Sequence, residues 1–172
     1  LMEMTDLLPA EGWAKLEQDI YERYGVSAHA HTAAGAPFTA RELWGNRLCP
    51  RLRQNKSAGT SICAVVNQAV RTEARLESKT VITDCDAGFM LIAAPVIVDG
   101  EFIGMLGGCG GLCDGSEPES FLLEKTAGFS EDLVTELCSD MRQYTAEEAQ
   151  EIARYIEDRV AEVVRGYEAK RS

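Results

Sequence analysis

Six cysteines, Cys49, Cys63, Cys85, Cys109, Cys113 and Cys138, are the residues of this chain with the most chemistry to offer. A thiolate attacks electrophiles and ligates soft metals. Two of the six fall in "GGCGGLC", residues 107–113, where glycines permit close backbone approach and leave amides free to hydrogen-bond a sulfide or an anion. Gly107, Gly108, Gly110 and Gly111 are therefore candidate cofactor-lining positions. Cys49, Cys63, Cys85 and Cys109 each fall where an element is expected to begin or end, and such ends gather on one side of a small sheet domain. Their spacing, C-x13-C-x21-C-x23-C, matches neither a zinc ribbon nor a ferredoxin run. Convergence must come from the fold, and each cysteine can equally serve as a small core hydrophobe.

The two histidines, His29 and His31, share one face of an expected strand. They could bind a metal, but no carboxylate or third histidine is near in sequence, and a solvated face is the simpler expectation. The chain has no HExxH, no GxSxG, no P-loop and no GxGxxG tied to a strand–helix unit. A thiol-dependent enzyme using Cys85 or Cys109 would have to recruit its base through long-range folding.

The elements that must position these groups are legible in outline. Trp13, Leu16, Ile20 and Tyr24 recur at helical spacing over residues 11–24, with Gly25 as a stop. Val26 to His31 alternates as a strand. "ARELWGNRLCPRLRQ" predicts a short helical segment broken by Pro50. A helix follows through Ile62, Val65, Val66, Ala69, Val70 and Leu76, with Cys63 in its first turn, where free amides and the helix dipole would stabilise a thiolate or an anion. "KTVITDC" and "GFMLIAAPVIVDGEFIGMLGGC" predict three antiparallel strands, with a hairpin turn at Asp99-Gly100 and a bulge or free edge at Pro95. Beyond them only helices are expected. The last of these carries a capping box of Thr145 and Glu148 and an apolar stripe of Ile152, Ile156, Val160 and Val163.

At 172 residues and 45% hydrophobic, the chain can bury one core. We expect a domain over 1–144 and a helix over 145–172 that packs on it or leads to an output module. A net charge of -11 repels nucleic acid and anionic membranes. No run approaches the roughly 18 apolar residues of a spanning helix, and no signal peptide opens the chain, which fits a cytoplasmic protein in a reducing compartment.

The run "CDAGFMLIAAPVIVDGEFIGMLGGC" resembles the PocR sensory domain, whose pattern is roughly C-x-A-G-L, a few apolar residues, then A-P-I-x-x-D-G-x-x-x-G. "LCPRLRQ" and "SICAVVNQAV" resemble that family's two earlier cysteine segments, and "MRQYTAEEAQEIARYIEDRV" its terminal helix. The resemblance spans about residues 10 to 165. It implies an α+β fold, a PAS-like antiparallel sheet flanked by helices, and a non-catalytic input domain that senses small molecules for an output module such as a kinase or transcription regulator. Family positions carry over to Cys49, Cys63 and Cys85, and to Gly88, Pro95, Asp99, Gly100 and Gly104. Gly88 joins the glycines above as a candidate site position.

The chain departs from the pattern at Cys109-Gly110, where the family has a cysteine-free turn. Cys109 would complete four thiolate ligands, enough for a [4Fe-4S] cluster or an all-thiolate zinc site, with Cys113 as an alternative fourth ligand. A small organic ligand is the other expected occupant, and Arg51, Arg53 and Lys56 could hold an anionic one. A homodimer is expected through the first and last helices, whose two stripes offer more apolar surface than one sheet face covers. A third alternative is an interaction module with inert cysteines.

Overall fold

The computed structural model describes residues 1–172. A short helix α1 (Met4–Leu7) precedes α2 (Ala10–Tyr24), which Gly25 ends in the left-handed conformation at φ 73°. Strand β1 (Ser27–Thr32) follows, and residues 33–47 form no helix or strand before α3 (Leu48–Gln54). Pro50 does not break α3: it sits in the first turn, where a missing N–H costs nothing. The next helix is one continuous rod in three parts, α4 (Lys56–Ala58), a π-helical stretch (Gly59–Ala64) and α5 (Val65–Glu77). Cys63 is therefore mid-helix, and the free amides and dipole expected at a helix start are not available to it.

Strands β2 (Val81–Asp84), β3 (Met90–Val98) and β4 (Glu101–Cys113) are joined in an antiparallel ladder, with Asp99 and Gly100 at positive φ in the two-residue hairpin turn. Pro95 lies beyond the reach of β2, whose last partner on β3 is Ala93, so its missing donor faces a free edge. The strand order is β1-β4-β3-β2, antiparallel throughout. After α6 (Ser120–Ala127) and α7 (Glu131–Leu137), a two-residue strand β5 (Gln143–Tyr144) pairs parallel with the end of β4. The final helix α8 (Ala146–Arg171) opens with the expected capping box of Thr145 and Glu148.

The pleat sorts side chains onto two faces. Ala28, Ala30, Ile92, Ala94 and Leu106 face α2 and α8, forming the main core with Trp13, Leu16, Ile20, Ile152 and Ile156. Trp13 is fully buried, and its indole N–H donates to the Met4 carbonyl at 2.8 Å. The opposite face carries Leu91, Ala93 and Met105 against Val70 and Ala74 of α5. A third cluster gathers Leu48, Leu52, Ile62, Phe89, Leu123 and Val134. The result is the expected α+β, PAS-like layering. Both helix stripes on which a dimer was expected are consumed in the main core, so they supply no reason for a second copy. The far end of α8 is tied back to the β3–β4 turn by Arg171, which pairs with Asp99 at 2.9 Å.

"GGCGGLC" is not a turn. It lies inside β4, the longest strand, where Gly107 and Gly108 pair with both β1 and β3. The exception is Gly110, at φ 95°: the register with β3 skips it between Cys109–Leu91 and Gly111–Met90, which makes it a glycine bulge.

Candidate functional site

Cys49, Cys63, Cys85 and Cys109 line a single cavity of about 200 Å³ between the sheet and the α3–α5 layer. Each comes from a different piece of chain. Cys49 stands in the first turn of α3, Cys63 in the π-helical stretch, Cys85 in the β2–β3 connection, and Cys109 on β4 beside the bulge. The π-helical stretch is a local irregularity of the kind that recurs at functional sites.

Asn46, which the sequence did not single out as a site residue, places two of the thiols. Its side-chain oxygen accepts the amides of Leu48 and Cys49 at 2.9 and 2.8 Å, starting α3. Its amide nitrogen donates to the Gly110 carbonyl at 2.7 Å and approaches Cys49 Sγ at 3.2 Å. Asn46 thus ties the start of α3 to the bulge next to Cys109. An Asn two residues before a helix was the available signal.

The remaining candidates divide. Gly110 lines the cavity, but Gly107, Gly108, Gly111 and Gly88 do not. A Cβ on Gly107 would strike the Ile92 carbonyl, on Gly108 the Val26 side chain, and on Gly111 the Tyr144 ring, so neighbouring backbone and side chains account for these glycines. Gly88 packs against the Glu117 carbonyl at the opposite side of Cys85. Cys113 also falls outside, beside Tyr144 at the end of β4, and Cys138 caps α7.

Both histidines face the cavity rather than solvent, which overturns the expected solvated strand face. They stack with ring centroids 4.5 Å apart, and His31 is only 6% exposed. Burial holds His29 well below the ordinary imidazole range, with the His31 ring and Arg53 adding to it. Burial, then Arg53 and Arg71, pull His31 down to about 4. Both imidazoles are neutral at pH 7, and neither has a hydrogen-bond partner in the protein.

The thiols are shifted the other way. Burial pushes Cys109 up to about 12, and Arg53 opposes the shift. Burial and the neighbouring Cys109 push Cys49 well above the usual thiol range, against the hydrogen bond from Asn46. Cys63 is raised by burial and eased by Arg53, and Cys85 is raised by burial against the amides of Phe89 and Ala87. All six cysteines keep some accessible surface, and for these four it is the cavity that reaches them. Such thiols are poor nucleophiles, and neither imidazole is bonded to one, so the geometry offers a thiol enzyme no activated pair.

One end of the cavity is polar. Glu17 of α2 is 1% exposed; its Oε2 accepts the free edge amide of Ala30 on β1 at 2.8 Å and the Thr39 hydroxyl at 2.9 Å. Its Oε1 has no partner. Burial raises its pKa above the ordinary carboxylate value, against Thr39, Ala30 and Arg41. Residues 37–44 cover this end, pinned by Thr39 and, just beyond, by the Gly45 amide, which donates to Ser27 Oγ at 2.8 Å.

No helix is long and apolar enough to cross a membrane. Comparison with curated proteins and with solved structures found no match. A family model described as the sensory domain found in PocR matches residues 6–165, nearly the whole chain and all six cysteines. By that match, and in keeping with its PAS-like sheet and lined cavity, the chain belongs to the PocR sensory-domain family and is a signal-sensing domain.

Proposed function

We propose that this sensory domain is an input module whose cavity holds a [4Fe-4S] cluster on Cys49, Cys63, Cys85 and Cys109. The observation that carries the reading is the arrival of four thiols at one cavity from four separate elements. No group of three or more His, Cys, Asp or Glu side chains stands ready to hold a metal ion, so a cluster would have to draw the four thiols together as it binds. Arg53 supports it too: its charge acts on Cys63 and Cys109 in the direction that favours thiolate, and it has no carboxylate partner of its own. Gain, loss or reduction of the cluster would move the α3 and π-helical wall against the sheet. Because β3 and β4 carry α8 on their other face, the shift would redistribute the positions of α8 and so reach an output module.

A second reading rests on the unpartnered Glu17 Oε1 and the unbonded imidazoles. In it the thiols are inert, and the cavity takes a small organic molecule that hydrogen-bonds at the polar end. Anaerobic purification, reconstitution with ferrous iron and sulfide, and iron and sulfide analysis decide between them. The cluster reading expects brown protein with four irons per chain. Serine replacements at Cys49, Cys63, Cys85 and Cys109 should each lose colour, and those at Cys113 and Cys138 should keep it. Colourless protein after reconstitution, or full iron content in Cys85→Ser, overturns it.

A further inference from the structure

In a chain with 28 acidic and 17 basic residues, three cations stand together without a carboxylate partner. Arg53 of α3, Lys56 of α4 and Arg71 of α5 line a groove that opens on the mouth of the thiol cavity, and none of them takes part in an ion pair. Gln68 and Asn67, the latter with one amide N–H beyond the one it gives the Cys63 carbonyl, add donors along the same wall, while the Thr60 hydroxyl is spent on the Lys56 carbonyl. His31 forms part of the floor; it is more than nine-tenths buried, and its imidazole finds no protein partner. Unpaired like charges held together repel one another, and a neutral imidazole on the groove floor has an N–H to donate into it. One occupant, an anion, answers both.

We infer that this groove binds the phosphate group of a small soluble molecule. Three positive charges match a phosphate dianion better than the single charge of a carboxylate, and the flanking amides of Asn67 and Gln68 match its acceptor oxygens. The groove is a concavity beside a cavity, on a chain whose net charge of -11 opposes an anionic bilayer, and this favours a soluble molecule over a lipid headgroup. Arg53, Cys63 and His31 belong to the walls of both groove and cavity, so an occupant of one alters the field in the other, and the coupling is reciprocal.

Calorimetric titration of the full chain with inorganic phosphate, methyl phosphate and acetate tests the inference, run on iron-free protein so that the cluster reading stands or falls separately. Saturable binding of the two phosphates and weaker binding of acetate are expected. Arg71→Gln and Lys56→Gln should each weaken phosphate by roughly tenfold. Lys56 is exposed, so its replacement leaves folding intact, and Arg51→Gln, on an exposed side chain outside the groove, should change nothing. Equal affinity for acetate and phosphate, no saturable phosphate binding, or unchanged affinity in Lys56→Gln and Arg71→Gln overturns the inference. Co-sedimentation with phosphatidylglycerol vesicles would also overturn it, in favour of a lipid headgroup.

Discussion

Replacing Gly110 with alanine isolates what the glycine bulge does for the thiol cavity. Gly110 sits at φ 95°, a conformation that costs a residue with a Cβ about 1–3 kcal/mol. The new Cβ would also stand 2.6 Å from Asn46 Nδ2 and 3.2 Å from Ser27 Oγ. Asn46 must then retreat and release the 2.7 Å bond to the Gly110 carbonyl, which leaves a buried acceptor unpaired for about another 1–3 kcal/mol. The expected loss is about 2–6 kcal/mol. Gly115 supplies the internal control: its φ is 80°, it is exposed, and a Cβ there meets nothing within 4 Å, so Gly115→Ala should cost only about 1 kcal/mol of backbone strain. Urea unfolding of both variants measures the difference. Because Asn46→Ala removes the same tie, the double variant Asn46→Ala, Gly110→Ala should lose clearly less than the two single losses added together. Equal costs at Gly110 and Gly115, or strict additivity with Asn46, would refute the assignment of Gly110 and Asn46 as one structural unit.

Acidification should weaken the fold through His31. Its folded value of about 4 lies below the ordinary 6.5, so the unfolded chain takes up the proton first, and the stabilisation present above pH 6.5 is lost as the pH falls towards 4. At pH 4.5 this amounts to about 2–3 kcal/mol relative to pH 7, and His31→Phe should lack that portion of the loss; identical pH profiles for the two proteins would exclude it. Thiol labelling followed by mass spectrometry at neutral pH should modify Cys113 early and Cys49 and Cys109 last, since burial pushes Cys49 well above the usual thiol range and Cys109 up to about 12; early labelling of either would mean that the cavity opens readily. Ile156→Ala, at a fully buried position of α8 against the sheet, should cost about 2–5 kcal/mol in urea unfolding, and a loss under 1 kcal/mol would show α8 to be loosely docked.

The local pattern of the chain was enough to determine most of its elements. Helical spacing from Trp13 to Tyr24, the Asp99-Gly100 pair between apolar runs, and the Thr145–Glu148 capping box each act over a few residues, and the structure has α2, the β3–β4 hairpin and α8 where they point. Two short elements were invisible: α1 is a single turn, capped locally by Glu3 and Asp6 but too short to show helical spacing, and the two-residue β5 exists only through its pairing with β4. In "GGCGGLC" glycine content suggested close approach to a ligand, whereas packing against Ile92, Val26 and Tyr144 explains Gly107, Gly108 and Gly111 within a strand that has one bulge. The thiols are similar. Their types were evident from the sequence, but only the sheet order, the π-helical stretch and the Asn46 tie bring Cys49, Cys63, Cys85 and Cys109 to one cavity and leave Cys113 outside. The same long-range packing turned two histidines from an expected wet strand face into neutral cavity walls, because whether a strand face is wet depends on which helix lies over it, and that helix is supplied by residues 25 to 50 positions further along the chain.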